Sequence, residues 1–213
     1  PEPVLLRLPD DADRLPALQD TRVRFEQVLT VTGNRELQRY GTLRLSAGGR
    51  LWHPGEGHDD RGAGNVGRTI LLDDGSCRVE PEPIPYLDPG GTRRAGDQVH
   101  NLTGILTRAF EADRVHPTDP VAFMAANPRP APPPSDPDRL RVAALNLENH
   151  FLTLGQRGAR NAAERERQRA KTAAVVQGLD ADLLSLSEIE NRQQAVDDLV
   201  AQLNRALPAG KHY

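Results

Sequence analysis

Proline divides this chain before any other feature is weighed. Seventeen of its 18 prolines precede residue 138, and only Pro208 follows. Proline removes a backbone donor and fixes φ, so long helices and central strands are disfavoured where it is frequent. The densest run is NPRPAPPPSDPD, with Pro128, Pro130, Pro132, Pro133, Pro134 and Pro137. That composition favours an extended, stiff connector of the polyproline II kind. The expected organisation is a domain over 1–127, a linker over 128–138 and a second segment over 139–213.

On the N-terminal side, apolar residues recur with the period of two that marks half-buried strands. Val23, Phe25, Leu29 and Val31 carry it in TRVRFEQVLTV, and Leu43 and Leu45 in YGTLRLS. Gly48-Gly49 turns the chain toward Leu51 and Trp52, Asp74-Gly75 closes TILLDDGS, and Gly104 interrupts QVHNLTGILTRAF. Five or so strands in about 110 residues fit a small closed or partly open barrel. WHPGEGHDDRGAGNVG is too rich in glycine and polar residues for regular structure and reads as a surface loop. Its His53, His58, Asp59 and Asp60 imitate a metal site, but a glycine-rich loop holds no fixed ligand geometry. Tyr40, Trp52 and Tyr86 are expected mostly in the core, with base stacking as the alternative.

Beyond the prolines the pattern becomes strand, helix, strand, helix. LRVAALN and DLLSLSE are near-continuous apolar runs, expected to be buried on both faces as parallel strands are. The helix between them starts at a capping box, Asn161 with Glu164 three positions on, and ends at Gly178. The last helix carries Val196, Leu199, Val200, Leu203 and Leu207 at steps of three and four, and stops before Pro208 and Gly210. A βαβ crossover puts both strand ends at one edge of the sheet, where ligands gather in open α/β folds. The first strand ends at Asn146 and the second at Glu188. An amide oxygen beside a carboxylate suits a hard divalent ion that keeps several waters. The alternative is that Asn146 holds the strand-end loop while Glu188 caps a helix or faces solvent. Arg157, Arg160, Arg165, Arg167, Arg169 and Lys171 form a basic stretch near this edge that could meet phosphates. With Glu164 and Glu166 interleaved, a solvated helix face accounts for it equally well.

Composition removes several classes. No apolar run approaches the roughly 18 residues of a membrane span, and Pro-Glu-Pro-Val is not the start of a secretory signal. The net charge of −3 and a pI of about 6.1 argue against a polyanion binder working through bulk positive charge. Any nucleic-acid site is therefore local. The single cysteine, Cys77, can form no internal disulfide. The 25 arginines against two lysines reflect genome composition more readily than function.

LRVAALNLENHF, RGARNAAERERQRAK and DADLLSLSEIEN resemble the opening of the endonuclease/exonuclease/phosphatase superfamily, the DNase I-like fold. More narrowly, they resemble bacterial extracellular nucleases in which that domain follows a Pro-rich linker. RVRFEQVLTVTGN, YGTLRLSAGGRLWHP, ILLDDGS, LTGIL and AANPRP are similar to the OB-like domain upstream in those nucleases. The resemblance implies a mixed fold class, a small OB-like β-barrel followed by the N-terminal part of a DNase I-like α/β sandwich. It implies that Asn146 and Glu188 belong to a divalent-metal site for Mg2+ (or Mn2+ or Ca2+), with Asn191, Arg157 and Arg160 as weaker substrate-binding candidates. It further implies a secreted nuclease acting on DNA or RNA, with no membrane partner. Ala144 and Leu145 stand where the family often has Ser or Thr then Phe, which alters no ligand. The family's general base and its histidine lie in later GD-x-N and SDH-like motifs that these residues lack. The expectation is therefore a portion of a longer nuclease, inactive alone, whose α/β segment needs a missing C-terminal catalytic segment or another chain to cover it. The rival expectation is a non-catalytic module that binds nucleic acid or a partner. A superfamily phosphatase for lipid or sugar phosphates is a third.

Overall fold

The computed structural model describes residues 2–52, 65, 67–132, 134, 136, 138–206, 212 and 213. The chain separates into two compact units, 1–129 and 130–213, and the division falls inside the proline-rich stretch.

The N-terminal unit is a curled, mostly antiparallel sheet of nine strands: β1 (Val4–Leu6), β2 (Arg22–Phe25), β3 (Leu29–Gly33), β4 (Thr42–Ala47), β5 (Thr69–Asp73), β6 (Gln98–His100), β7 (Leu102–Ala109), β8 (Ala112–Pro117) and β9 (Ala122–Met124). Their order is β1-β2-β7-β8-β5-β4-β3-β6-β9. β2 and β3 stand well apart in this order although only residues 26–28 separate them in sequence, because β2 pairs with β7 while β3 pairs with β4 and β6. Most pairs are antiparallel, but β1 with β2 and β5 with β8 run parallel. A 3-10 segment (Ala12–Leu18) and a one-turn helix α1 (Leu37–Tyr40) complete the unit.

The period of two becomes a filled interior. Val23, Phe25, Leu29, Val31, Leu43, Leu45, Leu72, Val99, Leu106 and Val115 are all fully buried in one cluster. Fully burying a side chain of this kind stabilises by about 1.5–3 kcal/mol. Two of the three aromatic residues expected mostly in the core depart from expectation: Tyr40 and Trp52 are exposed, whereas Tyr86 is half-buried and packs against this cluster. Asp73 is a buried carboxylate held by Arg114 at 2.5 Å and by the Thr42 hydroxyl at 3.4 Å. Pairing of this kind offsets the cost of burying its charge.

The C-terminal unit consists of β10 (Val142–His150), α2 (Ala162–Leu179), β11 (Leu183–Ile189) and α3 (Gln193–Ala206), with β10 and β11 paired in parallel. Asn161 caps α2: its side-chain oxygen accepts the Glu164 N–H at 2.9 Å. The Glu164 carboxylate reaches back one residue further than a capping box requires, accepting the Arg160 N–H at 2.8 Å. Gly178 does not end the helix. Asp180, at φ 44, is the left-handed cap, and its N–H reaches the Val176 and Gln177 carbonyls.

Two expectations are corrected here. β10 and β11 alternate in exposure instead of being covered on both faces. Leu145, Leu147, Leu184 and Leu186 pack toward Val176, Leu199 and Leu203, while Val142 and Leu183 stay exposed. The reason is geometric: the two helices cover one face, and among the described residues of this unit no second layer covers the other. The buried stripe of α3 is Ala195, Leu199 and Leu203, with Val196 exposed. Leu207, Pro208 and Gly210 lie outside the described residues.

Gly104 sits within β7 opposite Pro117, where a Cβ would strike the His116 carbonyl oxygen and a Val115 methyl. Gly104→Ala is expected to destabilise the N-terminal unit by about 1–3 kcal/mol, the usual cost of overpacking. Urea unfolding followed by far-UV circular dichroism measures it, and an unchanged midpoint would show that β7 and β8 part freely.

Candidate metal and phosphate edge

Regular pairing of β10 with β11 runs from Val142–Leu183 to Asn146–Ser187 and then breaks. The next pair is His150–Ile189, so Leu147, Glu148 and Asn149 on one strand oppose Glu188 alone on the other. Bulges of this kind re-aim side chains beside functional sites. Three non-glycine residues here adopt left-handed backbone: Glu148 at φ 51, Asn149 at φ 61 and Glu188 at φ 57. Such conformations cost on the order of 1–3 kcal/mol each and persist where surrounding structure imposes them.

Asn146 is therefore not the end of its strand but its last regular pair, directly opposite the neighbour of Glu188. Its Oδ1 accepts the Glu148 N–H at 2.7 Å. The loop-holding role and a ligand role are compatible, since an amide oxygen keeps a second lone pair. Glu188 is exposed and makes no hydrogen bond or ion pair among the described residues. Glu148, which sequence patterning did not single out, adds a second exposed carboxylate on the bulge. No group of three or more His, Cys, Asp or Glu suited to a metal occurs among the described residues. One amide and one or two carboxylates still fit an ion such as Mg2+, which takes few protein ligands and keeps its waters.

The loop after β10 is pinned by Glu190, another residue that sequence patterning missed. Its carboxylate accepts the Leu152 N–H at 2.7 Å, the Thr153 N–H at 3.2 Å and the Thr153 hydroxyl at 2.7 Å. Those hydrogen bonds, the hydroxyl's foremost, hold its pKa below the ordinary carboxylate range. From the helix side, the Gln168 amide donates to the Leu147, Glu148 and Asn149 carbonyls. The bulge is thus fixed from two directions.

The other candidates separate. Arg157 and Asn191 are exposed, on the loop after β10 and just past β11. Arg160 is engaged with Glu164, its guanidinium on the carboxylate at 2.5 Å, and acts at the start of α2. Arg165 and Arg169 turn to Asp198 at 3.2 and 3.4 Å. Arg167 and Lys171 are exposed. His53, His58, Asp59 and Asp60 lie outside the described residues. No helix among the described residues is long and apolar enough to cross a membrane.

Beneath the bulge, His150 is 2% exposed, and neither ring nitrogen has a hydrogen-bond partner among the described residues. Asp198 lies 3.9 Å from its Nε2. Burial lowers its pKa, outweighing the attraction of Asp198, and Arg165 and Arg169 add to the lowering. The native unit thus holds the neutral ring, while the unfolded chain binds a proton as pH falls below about 6.5. Stability is expected to decline from that pH downward until His150 itself protonates. Hydrogen exchange of α2 and α3 amides from pH 8 to 5 measures this. His150→Phe is expected to flatten the decline, and an identical decline in the variant would place the titration elsewhere.

Compared with known proteins, the chain matches no family model, no curated sequence and no solved structure.

Proposed function

We propose that this chain contributes the metal-binding edge of a secreted, divalent-metal-dependent nuclease that hydrolyses phosphodiester bonds of DNA or RNA. One observation carries the proposal: β10 and β11 bring Asn146 beside the Ser187–Glu188 step, with the Glu188 carboxylate exposed and unpaired among the described residues on strained backbone. A carboxylate kept free at energetic cost is better explained by a ligand than by stability.

In this proposal Asn146 and Glu188 hold the ion, and Glu148 orients Asn146 through its backbone N–H. A bound divalent ion there supplies positive charge against the phosphoryl oxygens. Glu190 keeps residues 152 and 153 in place, and Arg157 and Asn191 stand near the edge as phosphate or sugar contacts. The base that activates the attacking water and the family's histidine belong, in this proposal, to a further catalytic segment beyond these residues. The same segment would cover the open face bearing Val142 and Leu183, as the second sheet of a DNase I-like sandwich does.

The N-terminal unit supports the OB-like part of the proposal through its topology. With β2 and β3 counted as halves of one strand, and the three-residue strands β1, β6 and β9 at the ends of the order set aside, five strands remain. The third (β5) and fifth (β8) pair in parallel, and the fourth (β7) returns to the first, as in an OB-type barrel.

In the complete enzyme, Glu188→Ala is expected to lower Mg2+-dependent DNA hydrolysis by on the order of 100-fold or more, since even weakening a ligand's surroundings costs 10–100-fold. Part of the loss should be recovered at high Mg2+. Unchanged hydrolysis at low Mg2+ would remove Glu188 from the metal site.

A further inference from the structure

The N-terminal unit has an open cleft of about 500 Å3 that plays no part in the metal edge. Arg50, Arg93, Arg94 and Arg129 line it with Asn34 and Asn127, and among the described residues no carboxylate lines it. Arg93 serves the structure: it is buried, ion-paired with Asp97 at 3.3 Å, and its guanidinium lies 3.9 Å from the Phe123 ring centroid. Among the described residues the Arg94 side chain donates from its Nε to the Asn127 carbonyl at 2.7 Å, which leaves its two terminal nitrogens for a ligand. Arg50 and Arg129 are exposed and make no hydrogen bond or ion pair among the described residues.

The floor beneath these cations is built from side chain to backbone. The Asn34 amide donates to the Arg93 carbonyl at 2.8 Å, and the Asn127 amide to the Ala95 carbonyl at 2.7 Å. Gly96, at φ 98, lets Asn127 approach so closely that a Cβ there would stand 2.7 Å from the Asn127 Cβ. Arg50 in turn lies over the indole of Trp52, 4.1 Å from its centroid, and Trp52 is 36% exposed.

We infer that this cleft binds the phosphodiester backbone of a single-stranded polynucleotide, with Arg50, Arg94 and Arg129 on successive phosphates and Trp52 as a stacking platform at its rim. The three cations come from separate segments, after β4, before β6 and after β9, and they line a cleft of about 500 Å3, far larger than one phosphate group needs. A single phosphate group favours convergence, whereas a strand needs a row. Guanidinium groups match phosphate oxygens in paired hydrogen bonds, and an aromatic platform beside a basic groove is the usual pairing for unpaired bases. The chain's net charge of −3 makes the row local, so binding should be salt-sensitive and modest. The inference goes beyond the proposed hydrolysis and does not require the metal site.

Trp52 is the only tryptophan, so its emission reports on this rim without a label. The test titrates the 213-residue protein with oligo(dT) of 15 nucleotides in EDTA, at 50–200 mM NaCl. Saturable quenching is expected, weakening with salt. Arg129→Ala is expected to weaken binding about threefold and to reduce the slope of log affinity against log salt by about 0.7, the value of one single-strand phosphate contact. Arg50→Ala with Arg129→Ala should lose about twice that slope. Because both residues are exposed and neither makes a hydrogen bond or ion pair among the described residues, an unchanged thermal melt should confirm the fold of each variant, and Arg129→Ala, which leaves the Arg50–Trp52 contact in place, carries the emission readout.

Absence of quenching, or an unaltered salt slope in the double variant, would overturn the inference. So would equal binding of inorganic phosphate or oligo-glutamate at matched charge, which would identify a generic anion site. EDTA separates the outcomes. Failure here leaves the metal edge untouched, and failure of the metal edge leaves this binding intact.

Discussion

Parallel pairing of β10 with β11 is the constraint on which the candidate site depends. Two segments about 40 residues apart in sequence meet in register, Asn146 opposite Ser187, only because a helical crossover returns the chain in the same direction. The apolar stripes that drive this pairing, Leu145 and Leu147 on one strand with Leu184 and Leu186 on the other, face the helices. The opposite face, with Val142 and Leu183, and the far edge, with Asn146 and Glu188, are thereby left uncovered by the helices, and the candidate edge is a by-product of where the core can form.

Stability is then traded for shape at that edge. Left-handed backbone at Glu148, Asn149 and Glu188 would relax if the strands paired regularly to their ends. Gln168 from α2 and Glu190 after β11 hold it instead, one donating to three consecutive carbonyls and the other accepting from the loop beyond. Beside the same strand end, buried His150 lies 3.9 Å from Asp198 without a hydrogen bond, and Arg165 and Arg169 of α2 pair with that carboxylate of α3, joining the two helices. The bulge is a position imposed by its neighbours, which is what a preorganised ligand site requires.

Much of the strand content was legible because period-two patterning reports a half-buried strand directly, as at Val23, Phe25, Leu29 and Val31. The helix start at Asn161 was legible because capping chemistry is local. The exposed face of β10 and β11 was not, since an apolar run cannot say how many layers will cover it. Trp52 was expected inside because aromatics make up only 4% of the chain, but the buried cluster under the curled sheet is built mainly from aliphatic residues. Asn146 and Glu188 could be named because topology places strand ends together. Glu148 and Glu190 escaped notice because a bulge and a backbone-accepting carboxylate leave no periodic trace. The row of cleft arginines was equally hidden, being assembled from three loops.

The most direct test of the metal edge is paramagnetic broadening. Adding Mn2+ at substoichiometric levels to the 15N-labelled protein should first broaden the backbone amide signals of residues 146–148 and 187–189, and excess Mg2+ should restore them. Broadening that begins elsewhere, or that survives unchanged in Glu188→Gln, would contradict the account.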